Sequence, residues 1–198
     1  MYIAKYKALL ATIQRPGIDK LADFLEKSDF YTAPASTQYH GAEKGGLVKH
    51  SLAVCENMGL LTTAFPRLQT QYSDETLKLV ALTHDICKVG FYTVEMRNKK
   101  DHTTADGVFH SGWGAYPFFA IDDTLPIGHG EKSMYLLLSM GIPLSVDEAA
   151  AINWHMGGFD DRANSYGGGR TLSKALDTWP LVAALHMADL AANSFDGI

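Results

Sequence analysis

Apolar residues recur at helical spacing along most of the chain, and this pattern predicts a largely helical protein. Residues 2–14 and 18–28 form two short amphipathic segments, separated by the Arg-Pro-Gly sequence at 15–17, which breaks a helix. The polar stretch 31–46 contains one proline and three glycines and predicts a loop. From Leu47 onward apolar residues return every three or four positions, which predicts a longer helix.

Two later helices carry start signals in the sequence. Ser73 can cap a helix whose apolar residues follow at helical spacing, because its hydroxyl can accept a free N–H of the first turn. Ser145 and Glu148 have the spacing of a capping box, and the helix that they begin is predicted to run to about His155. The remaining helices predicted from the pattern are 130–140 and one from about 179 to beyond 189.

Two segments interrupt the helical pattern. Residues 91–121 have aromatic and β-branched ends and a polar middle, which predicts a β-hairpin or an extended flap. Residues 157–169 contain five glycines and predict a loop. The predicted fold is therefore all-α, a helical bundle with a β-hairpin flap. We expect one domain over 1–198, in which 1–45 packs onto a core formed by 46–195.

Composition and charge narrow the classes of function. The chain is 46% hydrophobic and 20% charged, as in ordinary globular proteins, and no apolar run reaches the ~18–20 residues of a membrane span. Its two cysteines, Cys55 and Cys87, do not make a disulfide framework, so we expect a cytoplasmic protein without a membrane partner. The net charge of −5 disfavours a long nucleic acid as partner, because phosphate contacts supply most of the affinity for such chains.

Four of the eight histidines share a particular context. His50, His84 and His155 lie on, or at the end of, the apolar face of a predicted helix, and His129 directly precedes another helix. Because helices meet through their apolar faces, these side chains should converge inside the bundle. One such histidine alone would be read as a hydrogen-bonded core residue, but four together indicate a site. The histidines that fall in predicted loops, and for which we predict no role, are His40, His102 and His110.

Two aspartates also lie among apolar neighbours on predicted helices, Asp85 and Asp189. A buried carboxylate without a counter-charge costs several kcal/mol, and residues 183–198 contain no lysine or arginine. A divalent cation would supply that charge and would bind imidazole nitrogen as well as carboxylate oxygen, which suits Fe, Mn, Zn or Ni. The alternative is pairing with a distant cationic side chain. The metal is favoured because it also accounts for the histidines.

The order and local sequence of these residues resemble the HD-domain metal-dependent phosphohydrolases. The resemblance lies in Gly-Gly-Leu-Val-Lys-His at 45–50, in Leu-Thr-His-Asp-Ile-Cys-Lys at 82–88 and in the distant Asp189. Gly-His-Gly-Glu-Lys-Ser at 128–133 and Ile-Asn-Trp-His at 152–155 are similar to the segments that carry two further histidines in binuclear members. The resemblance covers nearly all of the predicted core.

This resemblance implies a fold, a site and an activity. It implies an HD-type bundle with a divalent transition metal, as two ions, whose ligands are His50, His84, Asp85, His129, His155 and Asp189. Asp85 would bridge both ions and be catalytic, and Lys88 would contact a substrate phosphate or polarise the leaving oxygen. The implied reaction is hydrolysis of a phosphate ester, of a nucleotide or similar small molecule, by metal-activated water.

Other residues are weaker candidates. Basic side chains on the predicted flap and glycine-rich loop could contact a substrate phosphate, although such charges are more often solvated; these are Arg97, Arg162 and Arg170. Glu131 could orient His129. Cys87 stands where the family usually has glycine, and we interpret it as a small buried filler in preference to a redox sensor.

The resemblance leaves several functions open. Within the hydrolases, a 3′→5′ exonuclease or a cyclic-nucleotide phosphodiesterase would use the same ligands. From other classes, a non-catalytic nucleotide-binding module or a di-iron oxygenase could be built on the same scaffold. The sequence leaves the oligomeric state undetermined.

Overall fold

The structure is a computed structural model that describes residues 1–38, 41–103 and 108–195. The helices in these ranges are α1 Tyr2–Leu10, α2 Ile18–Lys27, α3 Gly46–Ala64, α4 Arg67–Gln71, α5 Asp74–Thr83, α6 His129–Ser139, α7 Val146–Asn153, α8 Tyr166–Thr178 and α9 Pro180–Ser194. The strands are β1 Tyr92–Thr103 and β2 Phe109–Ile121. Short 3₁₀ turns lie at Ile86–Lys88, Gly157–Phe159 and Asp161–Asn164. The prediction for His40 lies outside the described residues.

The core is a group of helices around α3. This helix packs against α5 and α9, and α7 packs against α6 and α9. The apolar periodicity of the sequence is the reason, since it gives each helix a buried stripe that a neighbour must cover. Leu47 and Val54 of α3, Val80 of α5 and Leu185 of α9 are fully buried. The prediction of a mainly helical protein is confirmed.

The N-terminal helices are held to this core by apolar and aromatic contacts. Helix α1 packs on α3 and α5, and the Tyr6 hydroxyl donates a hydrogen bond of 2.9 Å to the carbonyl oxygen of Leu82. The Tyr6 ring also lies 4.9 Å from that of Phe30. The hydrogen bond from Tyr6 thereby holds α1 against the end of α5.

Both predicted caps are present, and they fix the two helices that precede candidate ligands. Ser73 accepts the N–H of Thr76 at 3.1 Å. Ser145 accepts the N–H of Glu148 at 3.4 Å, and Glu148 accepts the N–H of Ser145 at 2.9 Å, which is the predicted capping box. The helix begun by Ser145 ends at Asn153, slightly before its predicted end.

The β segment is a two-stranded antiparallel hairpin, in agreement with the prediction. Its register pairs Tyr92 with Ile121, and the pairing shifts between Lys100 and His102. Most of its side chains are exposed. His102 and His110, which the sequence assigns to loops, lie on the strands opposite each other.

The predicted glycine-rich loop at 157–169 is wrong in its second half. There the chain enters α8, which Ser165 caps by accepting the N–H of Gly168 at 3.0 Å. A Cβ on Gly168 would lie 1.9 Å from the carbonyl oxygen of Arg162. This glycine therefore permits close packing of a helix, whereas the composition alone indicated a flexible turn.

The short helix α4 was also not predicted from the pattern. Among the described helices, none combines the length and the apolar character that crossing a bilayer requires.

Candidate metal centre

The structure brings all six predicted ligands into one cluster. Separate elements carry them. One lies in the second turn of α3, one in α9 and one at the first residue of α6, and three lie just beyond the ends of α5 and α7. The donors in this order are His50, Asp189, His129, His84, Asp85 and His155. Five of the six are buried, and His129 is partly exposed.

Asp85 is at the centre of the cluster. Its Oδ2 lies 3.5 Å from Nε2 of His50 and 3.6 Å from Nε2 of His84. Its Oδ1 lies 2.8 Å from Nε2 of His129 and 3.4 Å from Nε2 of His155. The two oxygens of one carboxylate thus face two different pairs of histidines.

Asp189 lies next to the first of these pairs, which is His50 and His84. Its Oδ1 lies 3.1 Å from Nε2 of His50, and Nε2 of His50 is 3.2 Å from Nε2 of His84. Asn193, one turn later in α9, donates a hydrogen bond of 3.1 Å to the same carboxylate oxygen. This amide orients Asp189, as hydrogen bonds to carboxylate ligands do in metal sites.

Backbone carbonyls fix the orientation of two histidines. Nδ1 of His84 lies 2.9 Å from the carbonyl oxygen of Ala81, and Nδ1 of His155 lies 2.7 Å from that of Ile152. A carbonyl oxygen only accepts hydrogen bonds, so Nδ1 carries the proton in each ring. In the neutral ring the lone pair is then on Nε2, which points into the cluster.

Burial and charge set the protonation of the cluster. Burial lowers the pKa of His84 to about 3, so this ring is neutral at ordinary pH. Burial alone would raise the pKa of Asp85, but Lys88 and His84 hold it well below its usual value. Burial likewise opposes ionisation of Asp189, and His50 lowers the pKa of that carboxyl. For His155 burial lowers the pKa, and the contact with Asp85 more than offsets it, so the pKa is raised.

The distances between these donor atoms fit a metal ion. Ligands that bind one ion at about 2.0–2.2 Å lie about 3.0–3.5 Å from one another, and the contacts of His50 with Asp189 and with His84 are 3.1 and 3.2 Å. Three groups in the described residues could each hold an ion; they are His50 with His84 and Asp189, His84 with Asp85 and His155, and Asp85 with Cys87 and His129. The buried donors are nitrogens and oxygens that suit transition metals.

Lys88 contacts the same central carboxylate. Its Nζ lies 2.6 Å from Oδ2 of Asp85, and its side chain is 16% exposed. Burial lowers the pKa of Lys88, but Asp85 and then Tyr92 raise it above the ordinary value. The ammonium therefore stays charged at neutral pH. The lysine therefore lies against the cluster and not in solvent.

The first turn of α6 explains the Gly-His-Gly-Glu-Lys-Ser segment residue by residue. After His129, Glu131 pairs with Arg162, and buried Lys132 places its Nζ 2.5 Å from Oδ1 of Asp123. Ser133 accepts the backbone N–H of Cys87 at 3.1 Å. Each residue ties the helix start to a different part of the chain. Sequence reasoning missed Lys132 and Ser133, although the density of polar residues beside His129 was a signal.

Cys87 lies against the centre. It is buried, and its Sγ is 3.4 Å from Nδ1 of His129 and 4.0 Å from Oδ1 of Asp85. Burial raises the pKa of its thiol to about 12. A neutral buried thiol agrees with the filler interpretation, and its sulfur is also in reach of donors that could hold an ion.

The three candidate arginines lie in different environments. Arg97 is on the exposed hairpin, where it contacts Glu95 at 3.4 Å. Arg170 donates a hydrogen bond of 2.9 Å to the Tyr166 hydroxyl. Arg162 is surrounded by protein groups, including Asp160 at 2.5 Å. Their contact with substrate stays a prediction.

One further histidine supports the site through the backbone. Nδ1 of His186 lies 2.7 Å from the carbonyl oxygen of His155. A Cβ on Gly157 would lie 2.4 Å from the ring of His186, so glycine is required for this approach. His186 therefore helps to hold the turn that carries His155.

Comparison with known proteins adds no relative. The chain matches no protein-family model, no curated protein and no solved structure. A function for this centre must therefore be argued from its donors, their distances and their surroundings.

Proposed function

We propose that the protein is an HD-type metal-dependent phosphohydrolase that hydrolyses a phosphate ester of a nucleotide or a similar small molecule. The observation that carries the proposal is the position of Asp85, whose two oxygens face two different pairs of histidines. A carboxylate in this position suits a bridge between two ions, which is the arrangement that the HD resemblance implies. The mainly helical core is compatible with an HD-type bundle.

The donors divide into two sets that share the bridging carboxylate. The first ion would be held by His50, His84, Asp85 and Asp189. The second ion would be held by Asp85, His129 and His155. Imidazole and carboxylate ligands suit Fe, Mn, Zn or Ni. Ions bound here would supply Lewis acidity, which lowers the pKa of water and neutralises charge on a phosphoryl oxygen.

Lys88 would contribute a fixed positive charge beside the bridging carboxylate. Its pKa lies above the ordinary value because of Asp85 and Tyr92, although burial opposes this, so the side chain cannot act as a base at neutral pH. It can donate hydrogen bonds to a phosphoryl oxygen or to the leaving oxygen. Charge placed in advance on a water-poor site stabilises developing negative charge more effectively than solvent does.

The exposure of the ligands indicates where a substrate would approach. The His129 side chain is 26% exposed, against 10% for Asp189 and 2% or less for His50, His84, Asp85 and His155. A substrate phosphate would therefore approach from the side of His129 and Lys88. A mostly buried centre admits a small or terminal phosphate group more readily than an internal phosphodiester. The net charge of −5 supports the same preference, because it gives little attraction for a polyanion.

A second candidate is a 3′→5′ exonuclease, and one feature of the hairpin favours it. Arg97 and Lys99 lie over the ring of Phe118 at 6.0 and 5.7 Å. The ring centre of His102 lies 5.2 Å from that of Phe118 and 5.0 Å from that of Tyr116, with the rings tilted. Aromatic and cationic side chains on one face are typical of surfaces that bind single-stranded nucleic acid by stacking. Such a surface would guide the end of a nucleic-acid strand to the candidate metal centre.

Two measurements test the proposal. Elemental analysis of protein purified without chelator, and after reconstitution, should give more than one transition-metal ion per chain. The metal-loaded protein should then hydrolyse small phosphate monoesters and nucleotides with a higher kcat/KM than single-stranded oligonucleotides at moderate salt. Absence of metal uptake would remove the site assignment. Faster shortening of an oligonucleotide would replace the small-molecule proposal by the exonuclease.

A further inference from the structure

Arg162 lies at the junction between the two segments that carry His129 and His155. Its Nη1 pairs with Glu131, which is two residues after His129 in the first turn of α6. Its Nη2 donates a hydrogen bond of 2.9 Å to the carbonyl oxygen of Asn153, two residues before His155. Nη1 is also 3.3 Å from the side-chain oxygen of Asn153. One guanidinium therefore connects the start of α6 to the end of α7.

The guanidinium is itself held from other sides. Oδ1 of Asp160 accepts from Nε of Arg162 at 2.9 Å, and Oδ2 accepts from Nη2 at 2.5 Å. The planar group lies 4.5 Å from the ring centre of Trp154, which is buried and directly precedes His155. A guanidinium that is stacked and bound in this way has little freedom to clamp a mobile phosphate. Its geometry is that of a fixed connector.

Close backbone packing makes this connection stiff. A Cβ on Gly130 would lie 2.2 Å from the carbonyl oxygen of Asn153, so the start of α6 and the end of α7 touch without a side chain between them. A Cβ on Gly168 would lie 1.9 Å from the carbonyl oxygen of Arg162, so α8 holds the arginine backbone. A displacement of either histidine segment would therefore have to break or distort the contacts of Arg162.

The other half of the centre is held by direct helix packing. His50 and Asp189 lie within α3 and α9, which pack directly against each other through buried apolar residues. His84 follows α5, which also packs on α3. Within the described residues, the side chain of Arg162 contacts Glu131, Asn153, Trp154 and Asp160, which lie outside α3, α5 and α9.

We propose that Arg162 is a positioning residue that joins His129 and His155 into one binding unit, and so determines the affinity for the second ion specifically. This inference rests on the proposed function, because it assigns the second ion to Asp85, His129 and His155. It replaces substrate contact as the role of Arg162. Residues that orient metal ligands from outside typically change metal affinity by about 10- to 100-fold when they are removed.

The test is to titrate wild type and Arg162→Ala with Mn²⁺. Calorimetry measures the affinity for each ion, and electron paramagnetic resonance shows whether the bound ions form a coupled pair. Wild type should bind two ions and show the signal of a spin-coupled pair. Arg162→Ala should keep the tighter ion and bind the second about 10- to 100-fold more weakly, with the signal of an isolated ion at intermediate Mn²⁺. Arg170→Ala is the matched control, since Arg170 stacks on Tyr166 at 5.5 Å beside the same turn, and it should titrate like wild type.

Other results would contradict the inference or the proposed function. Equal weakening of both ions would show a general structural role and overturn the inference, as would an unchanged second ion. Failure of wild type to bind two ions would overturn the proposed function, and the inference would fall with it. If circular dichroism shows that Arg162→Ala is unfolded, Glu131→Gln and Arg162→Lys take its place. Both should weaken the second ion selectively, because Glu131→Gln removes a charge of the pair and Lys lacks the planar fork.

Discussion

Two of the polar clusters within the described part of the chain are built on opposite principles. In the first, Arg15 donates to both carboxylate oxygens of Glu148 at 2.7 and 2.6 Å. The same guanidinium reaches Thr76 at 3.2 Å, Glu75 at 3.3 Å and the carbonyl oxygen of Pro143 at 3.2 Å. Every contact there places a donor opposite an acceptor. The cluster is satisfied by side chains and backbone of the chain itself.

In the candidate metal centre, by contrast, acceptor atoms also lie close to one another. The carboxylates Asp85 and Asp189 and the unprotonated Nε2 of His84 lie near one another, with Lys88 as the neighbouring ammonium. The rings of His129 and His155 and the Lys88 ammonium also face Asp85, but burial holds the pKa of His84 at about 3, so its Nε2 remains an acceptor. A cluster that its own chain satisfies is structural, whereas one that gathers lone pairs is suited to binding a cation. The Arg15 cluster thus holds the fold together, whereas the histidine and aspartate cluster could hold a metal ion.

The largest expected effect is that of Asp85→Ala. It removes a ligand to both proposed ions, so metal should be lost and hydrolysis should fall below detection. Elemental analysis and the phosphatase assay measure this, and far-ultraviolet circular dichroism checks the fold. Asp122→Ala, at an exposed position, should keep both metal and activity. A fully active Asp85→Ala would end the assignment of the centre.

Lys88→Ala should lower kcat by about 100-fold while metal content stays at the wild-type level, because it removes one charged donor and no ligand. The matched control is Lys49→Ala. Lys49 adjoins His50 in sequence but pairs with Glu43, outside the centre. Steady-state kinetics measures kcat, and elemental analysis measures the metal content of each variant. Wild-type turnover in Lys88→Ala would show that this lysine serves only to balance Asp85.

Arg15→Ala should destabilise the protein without changing metal affinity. Breaking a buried ion pair on one side leaves Glu148 without its partner and costs about 3 kcal/mol, measured by denaturant unfolding. Lys78→Ala, which breaks a surface i,i+4 pair with Asp74, should cost about 0.3–0.5 kcal/mol. A loss of metal affinity in Arg15→Ala would show that the two clusters are coupled.

The smallest expected effect is a dependence of the free energy of unfolding on pH that arises from Glu148. Burial opposes ionisation of this carboxyl, yet the hydrogen bond from Arg15 lowers its pKa below the ordinary 4.5. The unfolded chain therefore binds more protons, and this stabilisation is present above pH 4.5 and is lost as pH falls through the lower, folded value. Unfolding curves of wild type and Glu148→Gln between pH 6 and 3.5, about the range where an acidic side chain titrates, should converge on acidification. A constant difference would contradict the assignment.

Much of the architecture was determined locally in the sequence. The capping box of Ser145 and Glu148 fixes the start of α7 because the two residues satisfy each other's backbone N–H groups within one turn. The apolar periodicity around His50 and His84 predicted that these rings point inward, and they do. Local signals succeed here because caps and helix faces depend on residues three or four positions apart.

What the sequence could not determine are relations between residues far apart in the chain. The division of the Asp85 oxygens between two pairs of histidines depends on how α3, α6 and α7 pack. Helix α8 was missed because its glycines were read as flexible, whereas Gly168 is needed for close approach to Arg162. The sequence makes Arg162 a candidate for phosphate contact because it is a basic residue in the predicted glycine-rich loop, and it gives no sign of the protein groups that surround it. Only the packed helices show its contacts with Glu131, Asn153 and Trp154, since contacts beyond one or two helical turns leave no periodic trace in the sequence.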